Sequence, residues 1–338
     1  MDIQEVKKVL ENCAAEPFRL KQAARAVFAR LISDWDEASD LPIALREQLK
    51  KQVLMSSLTE IARSQSARGD ATKLILRTSD GLIIETVLMK HQTGRNTVCV
   101  STQAGCPMQC AFCATGQQGF KRNLTSAEIL DQVLHFAREL NQQAERVSSI
   151  VFMGMGEPFH NYDAVLDAIS TLNAADGLNI GARHISISTC GIIPGIERLA
   201  KEARQINLAI SLHAPTDDLR DKLMPVNKTY PLSKLLPAIR DYLQHTNRKV
   251  MFEYLLIEGV NDSQQQADQL ADLLADERLY HVNLIRFHRT GNFSSSSREK
   301  RDNFFDRLKQ RGVSVTHRVS FGEDIQAACG MLAGKINS

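Results

Sequence analysis

The 338 residues are 43% hydrophobic and 24% charged, an ordinary globular composition with chain enough for one large domain or two to three smaller ones. No apolar run approaches the roughly 20 residues needed to span a bilayer, and Met1–Lys8 lacks the basic-then-apolar pattern of a secretory signal, so a cytoplasmic protein with no membrane partner is expected. A net charge of +2 neither favours nor excludes nucleic acid, and seven cysteines in a reducing compartment point to metal or redox chemistry rather than a disulfide scaffold.

Residues 1–58 read as helices. Leu20, Ala24, Val27, Phe28 and Leu31 recur at helical spacing, and a second helix is expected over Leu41–Met55 with Pro42 in its first turn. Between Pro17 and Leu31 the charged side chains are Arg19, Lys21, Arg25 and Arg30. They make either a solvated face or a phosphate-contacting helix of a small RNA-binding domain. Next, Ala71–Thr78 and Leu82–Met89 are β-patterned and joined by Ser79-Asp80-Gly81, a good hairpin turn. Glu85 interrupts the second run, and alternation alone points it at solvent. From Thr97 onward strands and helices alternate. Strands are expected over 97–103, 147–153, 183–188, 206–212, 249–256, 280–287 and 313–318. Helices are expected over about 125–143, 160–173, 192–203, 231–245, 263–277 and 297–311. This pattern implies parallel strands with crossover helices, a barrel or part of one, with the chemistry at the C-terminal ends of the strands.

Directly after the first of these strands, three thiols share one short loop, Cys106-Pro-Met-Gln-Cys110-Ala-Phe-Cys113. A C-x3-C-x2-C loop can hold three irons of a cubane cluster and leave the fourth iron open, where four thiolates are usual. A zinc loop is the competing reading, but zinc wants a fourth ligand nearby and no His or Cys lies between Cys113 and His135. Strand 147–153 ends in Met153-Gly154-Met155-Gly156-Glu157-Pro158, whose glycines let a ligand approach the backbone. Two later strands run into Ser188-Thr189-Cys190-Gly191 and Ser211-Leu212-His213-Ala214-Pro215. Both place small hydroxyls where a cofactor's ribose or carboxylate could meet them. For His213 a buried, satisfied imidazole is the plain alternative. Cys329, in a Gly-flanked tail after the last strand, is either a core residue or a mobile, accessible thiol.

These motifs resemble the radical S-adenosylmethionine (SAM) superfamily and, over nearly the whole chain, its RlmN/Cfr family of RNA methyltransferases. Further matching landmarks are Glu85-Thr86-Val87, Cys99, Gln118-Gly119, Leu223-Met-Pro225-Val-Asn227, Gly259-Val-Asn261-Asp262 and Asp324–Gly330. The resemblance implies an α/β fold: a partial (β/α)6 radical SAM barrel with a small N-terminal helical domain and a β-hairpin extension. The implied divisions are 1–58 (helical, RNA-binding), 59–92 (hairpin), 93–320 (radical SAM core) and 321–338 (tail). A [4Fe-4S] cluster on Cys106, Cys110 and Cys113 is implied, with SAM met by Gly156, Glu157, Ser188, Ser211, Leu212, His213 and His288. Cys329 is implied as the methyl carrier, Cys99 as the thiol that resolves it through a transient disulfide, and Glu85 as the proton acceptor, which reverses the solvent-facing expectation for that residue. The family's substrate is an adenosine of 23S rRNA, methylated at C2 in one branch and C8 in the other. The C2 branch, which is favoured here, also modifies an adenosine beside the tRNA anticodon. An electron donor such as flavodoxin is implied as a partner. Three positions depart from the family pattern: His288 for Asn, Cys190 for Ser and Met331 for Gln. RNA contact is expected over residues 286–311, where Arg286, Arg289, Arg298, Lys300, Arg301, Arg307, Lys309 and Arg311 outnumber Glu299, Asp302 and Asp306 to give a local charge of +5.

Overall fold

A computed structural model describes residues 1–202, 204–275 and 277–334. Three short helices open the chain: α1 (Ile3–Asn12), α2 (Phe18–Ala24, running into a wider turn over Arg25–Ala29) and α3 (Ile43–Gln52). Asp2 caps α1 by accepting the Gln4 N–H at 2.8 Å, and Pro42 sets the start of α3. Val6, Phe28, Trp35 and Leu49 are buried, and the Trp35 indole donates to the Val53 carbonyl at 3.2 Å. Arg30 lies 3.4 Å from Asp40 and Arg19 donates to the Gln22 side chain, so part of the basic face expected here is engaged within its own segment.

Next, β1 (Leu58–Gln65), β2 (Ala71–Thr78) and β3 (Ile83–Lys90) form an antiparallel meander, where the sequence suggests a two-strand hairpin. The extra strand hides in sequence because only three of the eight residues in Leu58-Thr-Glu-Ile-Ala-Arg-Ser-Gln65 are apolar and a bulge between Glu60 and Ala62 breaks its period of two.

The third strand pairs antiparallel with β4 (Asn96–Cys99), which starts the parallel part of the sheet. A small ribbon, β5 (Gln103–Gly105) and β6 (Phe120–Asn123), brackets the cysteine loop and the short helix α4 (Ala114–Gln117). There follow α5 (Ser126–Gln142), β7 (Ser149–Phe152), α6 (Tyr162–Asn173), β8 (Ile185–Thr189), α7 (Ile193–Lys201) and β9 (Asn207–Ser211). The chain continues through α8 (Asp217–Leu223), α9 (Leu232–Thr246), β10 (Val250–Leu256), α10 (Gln264–Leu274), β11 (Tyr280–Arg286), α11 (Arg298–Gln310) and β12 (Val315–Arg318). Reciprocal capping boxes, Thr125 with Glu128 and Ser263 with Gln266, fix the starts of α5 and α10.

The sheet runs β1-β2-β3-β4-β7-β8-β9-β10-β11-β12, and every neighbouring pair from β4 onward is parallel. It is open, with β1 and β12 as its edges, so the barrel is partial as expected. Its apolar core is continuous from Val6 and Phe28 through Ile150, Leu208 and Phe252 to Leu308. Arg122 of β6 ties the cysteine region to its surroundings, donating to Asp80 of the meander turn at 2.7 Å and to Glu128 of α5 at 2.8 Å. No helix among the described residues is long and apolar enough to cross a membrane.

The basic run over 286–311 is largely compensated. Arg286 pairs with Glu323, Lys300 with Glu258 and Asp262, and Arg307 and Arg311 with Asp268. The +5 counted along the sequence is therefore not a free patch of that size, because its counter-charges come from elements distant in sequence.

Candidate active site

One cavity lies at the C-terminal ends of the parallel strands. Cys106, Cys110 and Cys113 form part of its wall, with Gly154, Gly156 and Glu157 after β7, Ser188 and Cys190 after β8, Ser211 and His213 after β9, and Cys329 of the tail. Two glycines make the approach to β7 possible. A Cβ on Gly154 would stand 2.7 Å from the Ser101 hydroxyl, and one on Gly156, whose φ is +105°, would stand 2.6 Å from the Gln103 side chain. The cysteine loop is bound into the frame: the Ala111 N–H donates to the Leu223 carbonyl at 2.9 Å, and Thr290 donates to the Phe112 carbonyl at 2.6 Å.

Three thiols on one wall are the donor set a cubane needs. Four ligands on a single zinc ion, each at about 2.3 Å, must crowd together. Among the described residues no three His, Cys, Asp or Glu side chains converge that tightly. Burial pushes the Cys106 and Cys113 thiols up, and binding to a metal would displace their protons.

Glu157 is buried and its carboxyl is pushed up by that burial, while its oxygens accept the N–H groups of Phe159 at 3.0 Å and Cys190 at 2.7 Å. It thereby clamps the loop after β7 to the loop after β8. Ser188 and Ser211 lie side by side, hydroxyls 3.3 Å apart. His213 has φ +56°, a left-handed conformation uncommon outside glycine. Its Nδ1 accepts the Leu255 N–H at 3.1 Å, which leaves the proton of the neutral ring on Nε2. Burial, then the nearby Arg220, hold its pKa down at about 3, so the ring stays uncharged. His213 is satisfied on one nitrogen and also lines the cavity.

Two expected cofactor contacts stand elsewhere. Leu212 is fully buried and is not part of the cavity wall; its backbone N–H donates to the Glu253 carbonyl and its own carbonyl accepts from Arg220. His288 lines a smaller adjoining cavity, with Nδ1 3.1 Å from Glu323 and a buried, unpartnered Nε2.

That smaller cavity holds both remaining thiols of interest. Cys99, at the end of β4, and Cys329 both line it, and Cys329 lines the cluster-side cavity as well. Burial pushes the Cys99 thiol up to about 12. Glu85 is 1% exposed, not solvent-facing as simple alternation suggests. Lys73 Nζ sits 3.1 Å from its Oε2, close enough to pair the charges though off the line of a hydrogen bond, and both side chains are buried. Its Oε1 accepts the backbone N–H groups of Ala333 at 3.0 Å and Gly334 at 2.6 Å, so the segment that carries Cys329 folds back onto the carboxylate.

Sequence reading misses four charged residues. Arg220 is buried and donates to the carbonyls of Cys190 and Ser211 and to the Asn227 side chain, at 2.7, 3.2 and 2.8 Å. Its one sequence signal is the Leu223–Asn227 landmark that holds it. Arg318, at the end of β12, reaches Glu253 of β10 at 3.3 Å and the Met153 sulfur at 3.0 Å. Burial disfavours its charge, but Cys329, Glu253 and Cys99 around it hold its pKa above the ordinary arginine value. Glu253 and Lys73 complete the set. The Cys190 thiol lies 3.9 Å from that of Cys110, so the family departure puts a fourth sulfur beside the loop.

An open parallel sheet with a three-cysteine loop at the C-terminal end of its first parallel strand is the arrangement of a radical SAM protein, and residues 100–271 match the family model described as the Radical SAM superfamily. The chain is 46% identical over 337 residues to "Probable dual-specificity RNA methyltransferase RlmN" of Geobacillus thermodenitrificans (strain NG80-2), covering 99% of this chain and 92% of the relative. It is 46% identical over 333 residues to the protein of that name from Pelotomaculum thermopropionicum, covering 98% and 89%. The crystal structure of a radical SAM methyltransferase from Sphaerobacter thermophilus superposes with a TM-score of 0.95 at 42% identity, covering 99% of this chain and 98% of that one. The chain belongs to the RlmN-type family of radical SAM RNA methyltransferases. A [4Fe-4S] cluster and SAM are the cofactors that membership implies.

Proposed function

We propose that this enzyme methylates C2 of an adenosine in 23S rRNA, and the adenosine 3′ of a tRNA anticodon, through an S-methylcysteine on Cys329. Cys106, Cys110 and Cys113 hold the cluster, and the SAM-facing wall is Gly156, Glu157, Ser188, Ser211 and His213. Bound together, cluster and SAM supply a 5′-deoxyadenosyl radical. The amidine carbons of adenine are electron-poor and do not attack a sulfonium methyl, so the methyl is first taken by a nucleophile of the protein. Cys329 is that nucleophile: as a thiolate it accepts the methyl of one SAM, and after hydrogen abstraction its methylene adds to the adenine ring. The odd-electron adduct must then give up one electron, for which the bound cluster would be the acceptor, and Glu85 takes the proton of the substituted carbon. Cys99 as a thiolate attacks the Cys329 sulfur, the carbon–sulfur bond breaks, the departing methylene takes up a proton to become the methyl of the freed RNA, and a disulfide is left for cellular thiols to reduce. Reaching the half-buried Cys329 thiol inside the cavity requires the target base to leave its stack, at a cost of a few kcal/mol. A flavodoxin-type donor in the cytoplasm would supply the electron.

The observation that carries this reading is that Cys329 lines both cavities, the one walled by the three loop cysteines and the one walled by Cys99. Its test is mass spectrometry of nucleosides from treated rRNA and tRNA. The expected product is 2-methyladenosine; 8-methyladenosine would assign the enzyme to the other branch, and an unmodified pool would refute the proposal. In the same assay Cys329→Ala yields no methylated adenosine yet keeps its iron–sulfur absorbance and 5′-deoxyadenosine formation.

A further inference from the structure

A third cavity, of about 320 Å³, occupies the N-terminal half of the open barrel. Its wall includes Thr97, Ser149, Ser186 and Asn207, at or near the starts of β4, β7, β8 and β9. The cluster-side cavity instead takes Phe152, Ser188, Ser211 and Leu255 from the far ends of β7 to β10, so the two are stacked along the barrel. Between them stand Met153, Glu253 and Arg318, which line both. The cavity of about 30 Å³ that holds Cys99 and Cys329 shares Met89, Met153, Arg318, Val319 and Phe321 with this lower one.

Charge in the lower cavity is one-sided. Arg95, Arg183 and Arg318 line it against one carboxylate, Glu253, which is already paired with Arg318, while burial keeps the neighbouring His91 ring uncharged. The guanidinium of Arg183 meets only the neutral Gln205 at 2.7 Å, and that of Arg95 meets only His91 at 3.1 Å. Among the described residues neither Arg95 nor Arg183 has a carboxylate within ion-pairing distance, and both are exposed. Two uncompensated guanidinium groups at the mouth of a cavity attract small anions.

We propose that this lower cavity is a binding and access site for an anionic low-molecular-weight thiol, a carboxylate or sulfonate bearing –SH, which re-reduces the Cys99–Cys329 disulfide from the end of the barrel opposite the cysteine loop. The inference rests on the two-thiol reading above. Space favours a small molecule over a protein reductant, because the sulfurs lie in a narrow cavity behind Arg318 and Met153. In the first step the incoming thiolate attacks one sulfur, a mixed disulfide forms, and the other sulfur leaves as a thiolate beside the Arg318 guanidinium. A second thiol molecule attacks the mixed disulfide. Two protein thiols and one small-molecule disulfide result, with two electrons passing from the two thiols to the protein.

The test uses the full-length protein, oxidised anaerobically with diamide, the linked Cys99 and Cys329 peptides being identified by mass spectrometry. Reduction rates are then compared for mercaptoethanesulfonate and cysteamine, which carry opposite charges, in the wild type and in Arg95→Glu/Arg183→Glu. The expected result is a fall of about tenfold or more in the anionic-to-cationic rate ratio of the variant, with RNA affinity unchanged. Taking the ratio removes the intrinsic reactivities of the two thiols. An unchanged ratio overturns the proposal, as does reduction by thioredoxin that outpaces both small thiols and ignores the charge reversal. Absence of the linked peptide pair overturns the two-thiol reading itself, and this inference with it.

Discussion

The cluster-side cavity and the carrier-thiol cavity share a floor but are built in opposite ways. The first is local: three of its thiols fall within eight residues, and fitted glycines bring the next strand against it. The second is assembled from far apart, with Cys99 on β4, Arg318 at the sheet's last strand and Cys329 on a tail that returns to Glu85 of β3, which itself stands outside the cavity wall. Where cofactor ligands are local, geometry is set by a short rigid loop. Where the groups are remote, geometry depends on the whole fold being in register.

The sharpest break between the two halves comes from the cluster cysteines. Replacing Cys106, Cys110 or Cys113 by Ala is expected to remove the brown absorbance and all 5′-deoxyadenosine formation. An unchanged visible spectrum would sever the loop from the cofactor. In the other half, Lys73→Met leaves the Glu85 carboxylate buried without its cation. Removing one partner of a buried pair costs about 3–5 kcal/mol, and here the two tail N–H groups that remain favour the lower end. Chemical denaturation measures this, with Lys73→Met/Glu85→Gln expected to recover part of the loss.

Smaller effects sharpen the contrast. Gly156→Ala places a methyl 2.6 Å from Gln103 in a left-handed backbone, so it should weaken SAM binding while costing about 1–3 kcal/mol of stability. Equilibrium dialysis with SAM separates the two effects. Burial holds the Cys99 thiol up at about 12, so its reactive thiolate is scarce at neutral pH. Single-turnover release of RNA should therefore quicken with rising pH through 7 to 9 without levelling off. A plateau near pH 7 would show that this thiol ionises more easily than its burial allows.

Sequence legibility follows the same division. The parallel strands and their crossover helices are readable to within a few residues, because each buried strand is a short apolar run and each helix carries an amphipathic period, with caps such as Thr125 and Ser263 marking starts. The cysteine loop is readable because its ligands are spaced along one short segment. Glu85 resists alternation because both faces of β3 are covered, so a period of two says nothing about burial there. Arg318, Glu253 and Lys73 look like solvent-facing charges in strands, since the partners that bury them come from other strands. The basic run over 286–311 misleads for the same reason, its counter-ions lying on α10 and in the loops after β10 and β12.

The most direct measurement is denaturing gel electrophoresis and peptide mass spectrometry of Cys99→Ala after reaction with RNA, SAM and reductant. With Cys99, the resolving thiol of the proposed mechanism, gone, a protein–RNA adduct joined through the sulfur of Cys329 is expected, with little free methylated RNA. Free methylated RNA at the wild-type level, or an adduct on any other cysteine, would contradict it.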